Sequence, residues 1–240
     1  MFGYIDRTVL FVSACRSRSI RAGLRAARFA PQTRRGPLES FVLSSAETDA
    51  VQVSLLVSLT AVACSLPAGI VMGWVLARKQ FHGKILLETL INLPLVLPPV
   101  VTGYLLLVSC GRTGTIGRFL ESQFGLRLVF DWKGAALAAA VISFPLMVRA
   151  IRIAFSSVDV RLEQTARTLG AGRLDTFLTV TLPLAWHGII AGSVLAFARS
   201  LGEFGATVMI AGSIPGETRT IPLFIYSLLE TPGGMVAARK

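Results

Sequence analysis

"EQTARTLGAGRLDTFLTVTLP" occupies residues 163–183 and sits between long apolar runs. It holds Glu163, Arg167, Arg173 and Asp175, with Gly170 and Gly172 at its centre. The passage predicts helix, glycine turn, helix. Asp159 suits an N-cap, because its carboxylate can accept from a first-turn N–H. Leu162, Ala166 and Leu169 then recur at i, i+4 and i+7 and make one apolar face, opposite Arg161, Gln164 and Arg167. Gly170 and Gly172 stop the first helix. Leu174, Phe177 and Leu178 start a second apolar face, and Pro183 leads into the next apolar run. A first helix of about ten residues is roughly 15 Å long, too short to persist alone. It needs a surface, and periodicity leaves lipid and a protein groove both open.

The surroundings settle the broad class. Of 240 residues, 53% are hydrophobic and 15% charged, against about 25% charged in a soluble domain. Mean hydropathy is +0.66. This is the composition of a polytopic, all-α membrane protein. The net charge of +11 raises nucleic acid as a partner. However, Arg7, Arg16, Arg18, Arg21, Arg25, Arg28, Arg34 and Arg35 crowd the start, and no aromatic–basic interleaving follows. Nucleic acid is therefore excluded. Cys15, Cys64 and Cys110 are scattered, and His82 and His187 have no ligand spacing. Neither a disulfide framework, a metal site nor a cofactor is expected.

Four runs match the roughly 20 residues that cross a bilayer as a helix. They are 50–77, 87–110, 134–155 and 184–211. Residues 221–229 are too few to span and read as a re-entrant or interfacial segment. Within the second run, Pro94, Pro98 and Pro99 predict a broken helix, since proline frees carbonyls that lipid cannot satisfy. The break faces either a water-filled path or a neighbouring helix. Gly69 with Gly73, and Gly188 with Gly192, are small-xxx-small pairs that allow close helix packing.

Lys/Arg bias sets the sidedness. Arg78, Lys79 and Lys84, with Arg149, Arg152, Arg161, Arg167 and Arg173, belong on the cytoplasmic side. That puts the Arg-rich stretch 1–48 outside, against the same rule, so it reads as a disordered tail or as residues ahead of the true start. The membrane domain is 49–234. Only residues 235–240 follow, and four spans leave Arg239 and Lys240 outside, so the chain is expected to be truncated before one further helix.

These residues carry a resemblance. The opening stretch is similar to the loop of inner-membrane permease subunits of bacterial ABC importers: Glu-Ala-Ala, three residues, Gly, nine residues, Ile-x-Leu-Pro. The matching positions are Gln164, Thr165, Ala166, Gly170, Val180, Leu182 and Pro183, with the acid one place early at Glu163. "LPLVLPPVV" (93–101), "SFPLMVRAIR" (143–152), "FARSLGEFGATV" (197–208) and "GETRTIPLFIYSLLETPGG" (216–234) resemble the molybdate permease family. The Arg-Ser-Leu-Gly-Glu-Phe-Gly core is shared with sulfate and thiosulfate permeases.

The resemblance implies a multi-pass bundle in the bacterial inner membrane, with the opening stretch as a cytoplasmic coupling helix. It implies a second permease copy in a homodimer, two ATP-binding subunits, a periplasmic molybdate-binding protein and contact with membrane lipid. No P-loop is present, because Gly83-Lys84 is followed by Ile85. ATP hydrolysis is thus expected in a separate subunit and no catalytic residue here. Arg199 and Glu203 share a face at i and i+4, and Arg199 lies about 24 Å of helix beyond Pro183. They are either a structural ion pair or, through Arg199, a source of positive potential for a dianion on the translocation path. Sulfate, thiosulfate or tungstate is an alternative substrate. A membrane-embedded lipid enzyme is a rival class, but it needs clustered acids or histidines that the chain lacks.

Overall fold

The computed structural model describes residues 45–111, 114–125 and 128–230. The readings of residues 1–44 and 235–240 therefore lie outside the described residues. Every regular element among those described is helical: α1 Ser45–Arg78, α2 Lys84–Val96, α3 Pro99–Cys110, α4 Thr115–Phe124, α5 Trp132–Ser157, α6 Val160–Thr168, α7 Arg173–Leu201, α8 Gly205–Ala211 and α9 Ile221–Glu230.

Three of these, α1, α5 and α7, are long and apolar enough to cross a membrane. At 1.5 Å per residue they run about 51, 39 and 44 Å. α5 is the centre. Its buried residues Ala135, Ala138, Ala139, Ile142, Ser143, Met147, Ile151, Ala154 and Phe155 cover more than one face. α1 and α7 grip it from two sides.

Both grips use the glycine pairs. On α1, a Cβ at Gly69 would lie 2.8 Å from Met147 Sδ, and one at Gly73 would lie 2.7 Å from Ile151 Cγ2. On α7, a Cβ at Gly188 would collide with the Ala154 methyl, and one at Gly192 would lie 3.2 Å from both Ala150 Cβ and Ile151 Cγ1. In lipid, apolar area alone does not draw helices together, so close backbone approach supplies the attraction. Two buried clusters follow along α5. One joins Val53, Val57 and Ala61 of α1 to Ala135–Ile142 of α5 and to Ala206, Ile210 and Ala211 of α8. The other joins Met147–Val158 to Ala185, Ile189 and Ala196 of α7.

The second apolar run is not a straight span. Leu97 and Pro98 are non-helical, and α2 and α3 meet at 110°. Four clear spans become three, or four if this bent pair is one crossing. The physical reason is the triple proline, which removes three backbone donors within six residues. The fourth run also breaks. α7 ends at Leu201, and Gly202–Phe204 separate it from α8, because Gly202 caps one helix while Glu203 turns to cap the next. Residues 221–229 form the short helix α9, about 15 Å long, whose first N–H donates to Ser54 Oγ on α1 (2.7 Å).

If the glycine grips hold α5, Gly188→Leu should cost about 1–3 kcal/mol as overpacking. Gly172→Leu should cost far less, since no atom lies within 4 Å of its Cβ position and its φ is −66°. Thermal denaturation of both variants in detergent checks this. Equal shifts would overturn the packing argument.

Candidate functional site

α6 is built by its two ends. Asp159 accepts from Arg161 N–H at 2.9 Å and caps the first turn, as its position predicts. At the other end Ala171 N–H donates to Ala166 O (3.1 Å) and Gly170 N–H to Arg167 O (3.0 Å). These two bonds are the paired closure of a Schellman turn. It needs a left-handed residue, and Gly170 sits at φ +95°. The turn is thus a conformational demand on Gly170, with open space around it.

One carboxylate then fastens α6 to the bundle. Glu163 Oε1 pairs with Arg78 at 2.8 Å and accepts from Thr181 Oγ1 at 3.0 Å. The same Arg78 nitrogen donates to Val158 O at 2.8 Å. Both charged side chains are only 13% exposed. Glu163 therefore ties α6 to the end of α1 and to α7 at once. Part of the surface that the short helix needs is thus supplied by its own chain. The shift of the acid from position 164 to 163 acquires a meaning: Glu163 turns inward, whereas Gln164 and Thr165 are exposed and Ala166 is half-buried.

Thr181 reaches Glu163 from a widened turn. Residues Phe177–Thr181 form a π-helical segment within α7, a feature common at functional sites. Phe177 packs edge-on to Trp74 (5.6 Å between centroids) and lies 6.0 Å from the Phe155 ring. Leu182 supports the α5–α7 cluster, while Pro183 is exposed. The apolar face expected on α6 is present but uncovered. Leu162 and Leu169 are exposed, the latter by 83%, as are Leu174 and Leu178.

At the far end of α7, Arg199 donates to Glu203 Oε2 at 2.9 Å. Glu203 lies beyond the helix end, and its other oxygen accepts from Ala206 N–H at 3.0 Å. Its side chain is 2% exposed against 29% for Arg199. The acid is therefore a buried cap of α8 as well as an ion-pair partner. A buried carboxylate with both oxygens engaged meets the requirement for burying charge.

The proline break adjoins this turn. A Cβ at Gly205 would lie 3.1 Å from Pro99 Cβ, and one at Gly103 would lie 2.6 Å from Ala206 Cα. Pro98 O accepts from Val101 and Thr102 N–H. Pro94 lines a cavity of about 400 Å³ between α1, α2 and α5, with Ser65, Leu90 and Phe144. Pro99 and the Glu203 turn, which spacing keeps separate, thus come together in space. Two further contacts escaped the sequence reading. Glu88 pairs with Arg152 at 2.8 Å, and Arg149 Nε donates to Asn92 Oδ1 at 2.9 Å. The signal was available: Glu88 and Asn92 are one turn apart on α2, and Arg149 and Arg152 one turn apart on α5.

Comparison with known proteins adds the family. The profile of the "Binding-protein-dependent transport system inner membrane component" family matches residues 65–238. The molybdenum transport system permease protein ModB of Escherichia coli K12 is 61% identical over 199 residues, covering 83% of this chain and 87% of that protein. The ModB of Haemophilus influenzae is 55% identical over 187 residues, covering 78% and 82%. The sulfate transport system permease protein CysW of Synechococcus elongatus is 38% identical over 193 residues, covering 79% and 67%. Among solved structures, a bacterial ABC transporter involved in the import of the acidic polysaccharide alginate matches with TM-score 0.54 at 16% identity. The match covers 81% of this chain and 64% of that one, and it speaks for the fold alone. With this profile over most of its length and apolar helices able to cross a bilayer, the chain is an integral membrane protein belonging to the binding-protein-dependent transport system inner membrane component family.

Proposed function

We propose that the chain is the permease subunit of an ATP-driven importer for molybdate in the bacterial inner membrane. The observation that carries this is 61% identity to the Escherichia coli molybdenum permease over 83% of the chain. In this reading two copies pair in the membrane, a periplasmic binding protein delivers the oxyanion, and ATP hydrolysis occurs on two separate subunits.

α6 is the coupling element, on the cytoplasmic side. Its support is geometric: a short helix with uncovered leucines, held by a rigid turn and one part-buried ion pair. ATPase closure would push α6. Glu163 would pass the displacement to α1 through Arg78 and to α7 through Thr181. From Thr181, α7 would carry it about 30 Å to the Arg199–Glu203 turn, which abuts the proline break. Two rigid rods and a polar pin form a contiguous mechanical route. Arg199, partly exposed, would add positive potential for a dianion.

The 38% identity to a sulfate permease favours sulfate as a second reading. Reconstituted transporter, supplied with binding protein loaded with molybdate, tungstate or sulfate, should show the largest ATPase stimulation and uptake with molybdate. Equal or greater response to sulfate would overturn the substrate assignment.

Gly170→Val should abolish uptake while leaving insertion and ATP hydrolysis in place, because a β-branched residue resists φ +95°. Normal uptake in that variant would remove Gly170 from the coupling turn.

Arg199→Ala strands a buried carboxylate, a change that costs about 3–5 kcal/mol in comparable pairs. Adding Glu203→Ala should recover part of the lost thermal stability and transport, though not the α8 cap. Additive losses in this double-variant cycle would instead give Arg199 a separate role facing the substrate.

A further inference from the structure

We infer that a pocket beside α6 is a binding site for the phosphate headgroup of an anionic glycerophospholipid. The pocket encloses about 550 Å³ where α1, α6 and α7 meet. Lys79, Arg167 and Arg173 line it, and no acidic side chain does. Its apolar wall is Val71 and Trp74 of α1 with Leu174 and Phe177 of α7.

Three observations point to this occupant. First, the cations are uncompensated: among the described residues none of the three forms an ion pair with an acid. Glu163, one turn from Arg167, is committed to Arg78, and Asp159 caps α6. Like charges lining one pocket repel, and an anion seated among them offsets that repulsion. Secondly, the pocket is amphiphilic in the order a lipid needs. Val71 and Trp74 belong to the last two turns of a membrane-crossing helix, and Val71 is exposed. Lys79 follows the helix end, with its Nζ 5.7 Å from the Trp74 ring centroid. An interfacial Trp with flanking basic residues marks the headgroup level. Thirdly, Arg173 and Leu174 open α7, whose first turn has no side-chain cap. Asp175 in that turn partly offsets the N-terminal dipole but does not line the pocket, so the field there is set by the three cations. A free anion would use the cations but leave the apolar wall bare, whereas a phospholipid would use both.

The inference depends on the chain lying in a membrane and is independent of the transported substrate. The test is native mass spectrometry of the full chain released from mixed micelles containing phosphatidylglycerol and phosphatidylcholine. One phosphatidylglycerol should be retained in preference to phosphatidylcholine. Retention should fall about fivefold for each cation removed in the series Lys79→Gln, Arg167→Gln and Arg173→Gln. Trp74→Ala should also weaken it. All three cations are exposed, and circular dichroism of each variant checks its fold. Lys79→Gln alone, beyond the helix end, keeps the test valid if the triple change unfolds. Inorganic phosphate should fail to displace the lipid. Equal retention of the neutral lipid, or unchanged retention in the triple variant, would overturn the site. Displacement by phosphate would reassign it to a free anion. Loss of ATPase co-purification with lipid retention intact would assign the cations to an acidic protein face and equally overturn the proposal.

Discussion

Ile151 is the residue through which the bundle is assembled. It lies fully buried on α5, under Gly73 of α1 on one side and Gly192 of α7 on the other. A membrane interior offers no hydrophobic gain for joining two apolar helices, so contact must come from shape. Glycine lets each neighbouring backbone approach Ile151 to side-chain distance. Everything else hangs on this sandwich. The two clusters extend along α5 in both directions from it, and the three rods acquire a fixed rotation about their own axes.

That rotation decides what the polar residues can do. With α1 and α7 both seated on α5, their ends are brought close enough for one carboxylate to serve both. Glu163 occupies that position. A charge pair at 13% exposure stands between a surface bridge, which contributes little, and a fully buried one, whose desolvation is severe. Three partners around Glu163 and Arg78, namely Thr181, Val158 and each other, offset the loss of water. At the opposite end Glu203 solves a similar problem by capping a helix as well as pairing with Arg199.

Much of this was legible in the sequence, and the rest was hidden for identifiable reasons. The apolar runs revealed α1, α5 and α7, because length and hydropathy are local properties. Asp159 and Gly170 were legible as cap and turn, since their roles depend on adjacent backbone. The prolines announced a break but not its 110°, because a missing donor says nothing about the direction in which the chain departs. The break after Leu201 was masked by the apolar residues that continue through Ala211. Only the glycines flanking Glu203 hinted at it. The partnership of Glu163 with Arg78 spans 85 positions, beyond the reach of any periodicity. Arg78 and Arg152 looked like markers of membrane side, and both also form ion pairs.

The wide turn at Phe177–Thr181 carries a further meaning. A π segment holds one residue more than the α turn it replaces, and each residue advances an α-helix by about 100°. The residues before it are therefore phased differently from those after it. Ala185, Ile189, Gly192 and Ala196 keep their register on α5, while Thr181 is left to meet Glu163 and Phe177 to meet Trp74. α7 thus behaves as two gears keyed to one shaft, with the inserted residue as the offset between their teeth. Chains that differ here by a single residue would keep every apolar position of the span and yet present the loop at another angle. Length in this segment, more than residue identity, sets the angle at which α7 presents the α6 loop.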